Sequence, residues 1–285
     1  MTEFEVAEQS DRDSEHNGRP AGRVPRTRTV RVASYNIRKS VGTDWRRRPD
    51  QILGVLSEID ADIVALQEVD RRFGTRTSSL SPEHIVRDTP YKALSFGSRP
   101  QSLGWHGNTI LVRQSFEVIR LKQLVLPALE PRGAALADLD IDGFGLRVVG
   151  MHLGLVSLWR KRQARAVLDH LEALEDALPT VMMGDLNEWT TEGGCLVHFA
   201  DEHHVVAPGA SFHSHMPFAS FDRIITSLDI GVEASGVHKS ERSRRASDHL
   251  PVWAHIRLGD TEGAAKRRAL AARAKADLDA IRAAG

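Results

Sequence analysis

Cysteine is nearly missing: Cys195 is the single one in 285 residues. No intrachain disulfide can form, and no zinc site built on cysteine exists. A reducing compartment suits such a chain. No apolar run approaches the roughly 20 residues of a membrane-crossing helix. The start, Met1-Thr2-Glu3-Phe4-Glu5, and the polar, acidic stretch behind it lack the basic beginning and apolar centre of a secretion signal. The expected location is therefore the cytoplasm. Neither sign of charge is in excess, with Lys and Arg at 38 and Asp and Glu at 38. Overall charge thus points to neither nucleic acid nor a membrane surface, and local clusters must make that distinction. Aromatics are scarce in the basic segments, where Trp45 and Phe73 are the evident candidates for stacking on a base.

The remainder reads as a globular domain. Residues 1–27 are polar and rich in charge, Gly and Pro, which predicts a disordered arm. Thr29–Asn36 alternates Val30 and Val32 with polar partners and predicts the first strand. Asp50–Ile59 carries Ile52, Leu53, Val55, Leu56 and Ile59 at helical spacing, and Asp62–Glu68 reads as a short buried strand. Asn108–Arg113, Phe116–Leu126, Gly133–Ile141 and Leu146–Leu153 follow as strands between Pro or Gly turns. Ser157–Leu178 predicts a helix with Val167, Leu171, Leu174 and Leu178 on one face; Thr180–Gly184, Ser220–Thr226 and Pro251–Ile256 are further strands. Many strands, two long helices and no strict alternation predict an α+β sandwich of mixed sheets with helices outside. The folded domain is expected over 28–258. Residues 259–285 read as a charged helical tail with Leu270, Ala274, Leu278 and Ile281 on a narrow face, either solvated or available to a partner or a membrane surface.

Polar side chains recur where strands end. Asn36 closes the first strand, Glu68 the second and His152 the run Val148-Val149-Gly150-Met151. Asp185 and Asn187 follow Val181-Met182-Met183-Gly184, Asp222 opens Asp222-Arg223-Ile224-Ile225, and Ser247-Asp248-His249 precedes the last strand. A strand buried in a sheet should not finish in a carboxylate unless a cation or hydrogen bonds offset its desolvation. Glu68, Asp185 and Asp248, with two asparagines, form an oxygen-only set suited to Mg²⁺ or Mn²⁺. Zinc fits less well, because only His152 and His249 offer nitrogen. Each residue alone has a plainer reading: a surface glutamate, an Asp-Asn turn, a strand-end charge, a core histidine, a capped turn. The joint pattern, matched ligand chemistry at five strand ends, is what points to a site.

Ser34-Tyr35-Asn36-Ile37-Arg38, Leu66-Gln67-Glu68-Val69, Gly107-Asn108-Thr109-Ile110-Leu111, Met151-His152-Leu153, Gly184-Asp185-Leu186-Asn187, Phe221-Asp222-Arg223-Ile224 and Ser247-Asp248-His249 together resemble the endonuclease/exonuclease/phosphatase superfamily of DNase I-like proteins, in that family's order. The resemblance spans roughly 29–258. It implies a four-layered α/β sandwich with its site at one edge of two packed sheets. By resemblance, Glu68, Asn36 and Asp248 would lie on a metal, and Asp185 and Asn187 would position the attacking water and the scissile phosphate. His249 would act as general base or phosphate-stabilising imidazole, with Asp222 orienting it. His152 would be a second phosphate-contacting imidazole, and Arg38 and Asn108 would bind substrate. The implied activity is one-step hydrolysis of a phosphodiester with Mg²⁺ or Mn²⁺.

Substrate is less legible. Arg38, Lys39, Arg46, Arg47 and Arg48 follow the first strand, Arg71, Arg72 and Arg76 follow Glu68, and Arg242, Arg244 and Arg245 precede Ser247. Such clusters favour a long polyanion, so nucleic acid is the expected partner. Asn36-Ile37-Arg38 resembles the DNase I form of this strand end. A phospholipid of the sphingomyelinase kind or an inositol phosphate is the enzymatic alternative, and a silent phosphate-binding module the non-enzymatic one. Trp105 and His106 either line the substrate cleft or pack. The histidines of His198–His215 read as belonging to a variable insertion.

Overall fold

A computed structural model describes residues 26–71, 74, 76–97, 99–127 and 129–259. The expected N-terminal arm lies outside the described residues up to 25, and so does the tail helix beyond 259, together with Arg72 and Phe73.

Among the described residues two six-stranded sheets pack face to face. The first holds β1 (Thr27–Asn36), β2 (Ile63–Gln67), β3 (Tyr91–Leu94), β4 (Thr109–Arg113), β11 (Gly231–Val237) and β12 (Val252–Gly259), in the order β11-β12-β1-β2-β4-β3. The second holds β5 (Glu117–Val125), β6 (Gly133–Ile141), β7 (Phe144–His152), β8 (Thr180–Asp185), β9 (His203–Val206) and β10 (Asp222–Ser227), in the order β5-β6-β7-β8-β10-β9. Alternate residues of both sheets, among them Val32, Ala65, Ile110, Ala137, Val148, Met183, Ile224 and Ala254, form the core between them. The outer face of the first sheet is covered by α1 (Pro49–Ile59) and α2 (Pro82–Asp88), and that of the second by α3 (Ser157–Glu172) and α4 (Val197–Ala200). This is the expected four-layer α+β sandwich. No described helix is long and apolar enough to cross a membrane.

Strand direction positions the site. The pairs β1–β2 and β7–β8 are parallel, so Asn36 lies opposite Gln67, and His152 opposite Asp185, at their C-terminal ends. β10 runs antiparallel to β8, which brings its first residue, Asp222, level with Asp185. Ser247, just before β12, donates its hydroxyl to the Asn36 carbonyl at 2.7 Å and ties the last loop to the same rim. Gly184 makes the parallel β7–β8 approach possible, since a Cβ there would fall 1.8 Å from the Met151 carbonyl oxygen.

Two expectations need correction. The helix predicted to reach Leu178 stops at Glu172. The chain beyond it leaves the helix because Asp176 is held at the sheet, its carbonyl accepting from Arg147 at 3.0 Å and its carboxylate from Arg120 at 2.7 Å. The His198–His215 stretch is no insertion. It supplies α4 and β9, which extends the second sheet beside β10, and then Ser211 and Phe212 beneath the site.

Candidate active site

A cavity of about 280 Å³ at the common rim of the two sheets is lined by Asn36, Arg38, Lys39, Glu68, Arg132, His152, Leu155, Asp185, Asn187, Asp248 and His249. Asp185 sits at its centre. Its Oδ2 accepts from Asn36 Nδ2 at 3.0 Å and lies 3.4 Å from His152 Nε2 and 3.6 Å from His249 Nε2. Its Oδ1 accepts from the Asn187 backbone at 3.0 Å. Asp222 lies behind the cavity, fully buried, where it accepts from Ser211 Oγ at 2.6 Å and pairs with His249 Nδ1 at 3.0 Å. The Phe212 ring packs against His249 at a tilt of 53°, ring centroids 5.0 Å apart.

The two imidazoles are driven in opposite directions. Burial opposes charge on His249, but the carboxylates of Asp222 and Asp185 outweigh it and lift its pKa to about 10. Burial dominates at His152, where Asp185 opposes it and the Arg132 guanidinium reinforces it, so its pKa falls to about 3. Arg132 Nη1 lies 2.9 Å from both His152 Nδ1 and His152 Nε2. A guanidinium can only donate, so its contact with the ring suits a neutral imidazole with a nitrogen free to accept. One imidazole is thus held as a cation and the other neutral, a few ångströms apart across one carboxylate.

Around Glu68 the donors are oxygens: its own carboxylate, Asn36 Oδ1 and Asp248. No group of three or more His, Cys, Asp or Glu among the described residues is spaced to hold a metal unaided. A hard cation needs less, because Mg²⁺ is commonly held through one or two carboxylates with waters completing its shell. Glu68 already accepts a cation, the ammonium of Lys39, and Arg38 Nε lies 3.2 Å from Asp248 Oδ2. The donor set fits Mg²⁺ or Mn²⁺ and not zinc.

The backbone is strained where it lines the cavity. Arg38, Lys39, Glu68 and Asn187 have φ of 46, 57, 55 and 50°. Left-handed non-glycine residues cost on the order of 1–3 kcal/mol each and persist only when their surroundings over-determine them. Lys39 N donates to the Glu68 carbonyl at 2.9 Å, and Asn187 Nδ2 to the Leu153 carbonyl at 2.9 Å. The buried pair Arg160–Glu188, 3.2 Å apart, braces the segment behind Asn187, with Arg160 also donating to the Leu155 carbonyl at 2.6 Å.

Eight of the ten expected site residues line the cavity, and Asp222 reaches it through His249. Asn108 does not. It is fully buried, its amide donating to the Trp105 and Gly133 carbonyls, so it fastens the Trp105 loop to β6. Most of the basic clusters are also placed elsewhere. Arg242, Arg244 and Arg245 sit on α5 (Glu241–Ala246), where Arg242 pairs with Glu58 and Arg245 with Glu241, and Arg48 pairs with Asp44. Arg71 and Arg76 do face a second cavity of about 290 Å³ with Trp105 and His106, and it shares Lys39, Glu68, Arg132 and His152 with the first. Arg132 was not anticipated; its only sequence signal is a Pro-Arg-Gly turn at the start of a strand. Ser211 was hidden in the segment read as an insertion.

The sequence model of the endonuclease/exonuclease/phosphatase family matches residues 33–249. A protein of Escherichia coli K12, YbhP, is 25% identical over 256 residues, covering 81% of this chain and 97% of that one. Among solved structures, the mannosyl-6-phosphatase Bt3783 of Bacteroides thetaiotaomicron superposes with a TM-score of 0.64 at 19% identity, covering 80% of this chain and 99% of that one. The D. rerio TDP2 complexed with single-strand DNA product superposes at 0.62 with 16% identity, covering 80% and 98%.

Proposed function

This chain belongs to the endonuclease/exonuclease/phosphatase family, and on that premise we propose that it is a divalent-metal-dependent phosphodiesterase working by in-line attack of water. The observation that carries the reading is the Asp185 carboxylate, held by Asn36 and flanked by two imidazoles of opposite protonation state. A phosphodiester is anionic, so hydrolysis needs charge neutralisation and an aligned nucleophile. Glu68, Asn36 and Asp248 are the residues to hold Mg²⁺ or Mn²⁺, which when bound supplies Lewis-acid stabilisation of the scissile phosphate.

The remaining roles fall to the chain itself. Asp185 orients the water and accepts its proton, and Asn187 fixes the water against phosphorus. His249, kept cationic by Asp222, donates to a phosphoryl oxygen as charge builds. His152, kept neutral chiefly by burial and further by the Arg132 charge, faces Asp185 with its Nε2. Arg38 exchanges Asp248 for the substrate phosphate.

Nucleic acid is the substrate favoured by Asn36-Ile37-Arg38 and by the cations Arg71 and Arg76 of the adjoining cavity. A phosphorylated headgroup is favoured by the ion pairs that occupy Arg48, Arg242 and Arg245. Bt3783 and TDP2 carry sugar-phosphate and DNA names on one fold, and fold alone does not choose between such substrates. The test is hydrolysis of bis-p-nitrophenyl phosphate, abolished by EDTA and restored by Mg²⁺ or Mn²⁺. Asp185→Ala and His249→Ala should each lower kcat by about 100-fold or more. Near-normal turnover in either variant overturns the assignment, and absence of turnover with every metal favours a silent binding module.

A further inference from the structure

Apolar side chains are left in solvent on loops that run out from the candidate site. Leu155, Val156, Leu158, Trp189, Met216 and Phe218 are between 53 and 79% exposed. They come from three loops that the site itself holds together. Asn187 and Arg160 bind the 153–155 carbonyls, which joins the Leu155 segment to the Trp189 segment. Trp189 and Phe218 lie 6.4 Å apart, ring to ring, and Phe218 reaches His249 through Phe212 at 5.8 and 5.0 Å. Leu155 is both a rim residue and a wall of the cavity. A group attached to a phosphate bound at Asp185 can therefore leave the cavity directly over apolar surface.

Isolated exposed hydrophobics need no explanation, but a contiguous set around a cleft marks an interaction surface. The chemistry of this set indicates what it meets. Leu155, Val156, Leu158 and Met216 are aliphatic and cannot stack on a base. Directly behind the Leu155-Val156-Ser157-Leu158-Trp159 tip come Lys161, Arg162 and Arg165, all exposed on α3, with Arg162 lying over the Trp159 ring at 5.1 Å. Apolar and aromatic residues flanked by cations form the pattern that enters an anionic lipid–water interface. A strand of nucleic acid instead needs free cations tracking its backbone, whereas Arg38, Lys39 and Arg132, the cations in the cavity, are engaged by Asp248, Glu68 and Glu130, and Arg71 and Arg76 lie in the adjoining cavity.

We propose that this rim docks the protein on an anionic phospholipid surface and that its substrate is a phosphoester headgroup presented there. The proposal rests on the phosphodiesterase reading and names its substrate class. The headgroup enters the cavity, with Arg71, Arg76, Trp105 and His106 giving it room beyond Glu68, while the acyl side stays on the apolar rim.

The test uses the full chain and the triple variant Val156→Asp, Leu158→Asp, Met216→Asp. None of these residues lines the cavity. The first two place acids at the N-cap and first turn of α3, positions that favour them, so the helix should survive. Flotation with vesicles of phosphatidylcholine containing phosphatidylglycerol should recover the wild type, and the variant at least tenfold less. Turnover of bis-p-nitrophenyl phosphate should stay within twofold. Hexadecyl p-nitrophenyl phosphate in those vesicles should be preferred to its ethyl analogue by tenfold or more, and the variant should lose that preference. Absence of wild-type flotation overturns the proposal, as does equal flotation of the variant. Binding of single-stranded DNA that the variant loses would make the rim a base-contacting surface and also overturns it. Loss of soluble-diester turnover in the wild type would instead sink the catalytic reading, and flotation reports independently of it.

Discussion

Replacing Asp222 by Asn isolates the electrostatic part of the site with little change of shape. The carboxylate is fully buried and does not line the cavity; its contact with the site is His249 Nδ1 at 3.0 Å. At that separation the bare attraction of two unit charges is about 5 kcal/mol for an effective dielectric constant of about 20. Most of this offsets the desolvation of both groups, and a hydrogen bond to a charged group contributes about 1.5–3 kcal/mol net. If the cationic form of His249 is what the transition state uses, kcat should fall roughly 10- to 150-fold. KM and metal affinity should hardly move, because Asp222 touches neither ligand. The active imidazolium is present below its folded pKa of about 10, so removing the carboxylate should also shift the alkaline limb of the rate profile to lower pH. The assay is kcat and KM for bis-p-nitrophenyl phosphate at saturating Mn²⁺, from neutral to alkaline pH. The decisive arm combines Asp222→Asn with His249→Ala. If Asp222 acts through His249, the double variant is no slower than His249→Ala alone. Penalties that multiply, or a folded Asp222→Asn protein within twofold of wild type, would refute the reasoning.

Lys39→Met frees the Glu68 carboxylate, and since the pair is partly solvent-exposed the gain is up to about 1 kcal/mol; calorimetric titration should show Mn²⁺ binding up to about fivefold tighter. Arg160→Met leaves Glu188 buried without its cation, a change that costs about 3–5 kcal/mol, so thermal melting should drop by about 6–20 °C at about 2–4 °C per kcal/mol, and adding Glu188→Leu should recover much of it. Burial opposes ionisation of Glu188, but hydrogen bonds from the Cys195 backbone and Arg160 outweigh it and lower its pKa from 4.5 to about 2. Its contribution is therefore intact above about 4.5 and lost as pH falls toward 2, so urea midpoints should decline across that window more steeply for wild type than for Glu188→Gln. Gly184→Ala should fail to give soluble protein, since its methyl would overlap the Met151 carbonyl oxygen.

The strands were readable because sheet burial leaves a period of two, and because Asn36, Glu68 and Asp185 break that apolar run just where it should end. Gly133–Ile141 matches β6 at both ends. What was not readable lies mostly in short or polar pieces. α2 has seven residues, β3 and β9 four each, and β11 is GVEASGV with no buried position, so none carries a periodic signal long enough to register. The end of α3 was missed because Leu174 and Leu178 continue the helical spacing while the chain itself is pulled away by Arg147 and Arg120. At the site, residues next to strand ends were legible. Arg132, Ser211 and Phe212 were not, because each works by touching a residue far away in sequence.

That division explains why the family and the candidate site were easier to read than the substrate. Catalytic groups belong to strand ends, where a buried carboxylate conflicts with its local sequence and so announces itself. Substrate-contacting groups belong to loops, where a charge or a leucine conflicts with nothing. Arg242 and Arg245 looked like phosphate contacts and prove to be occupied by Glu58 and Glu241. Leu155 and Leu158 carried no signal in the sequence and prove to stand in water, Leu155 at the wall of the cavity. A loop residue gains meaning only from what remains unsatisfied after folding. The Leu155 and Trp189 loops beside this cleft leave apolar side chains in water, and that is the physical reason to look for its substrate at a lipid interface before looking along a nucleic-acid strand.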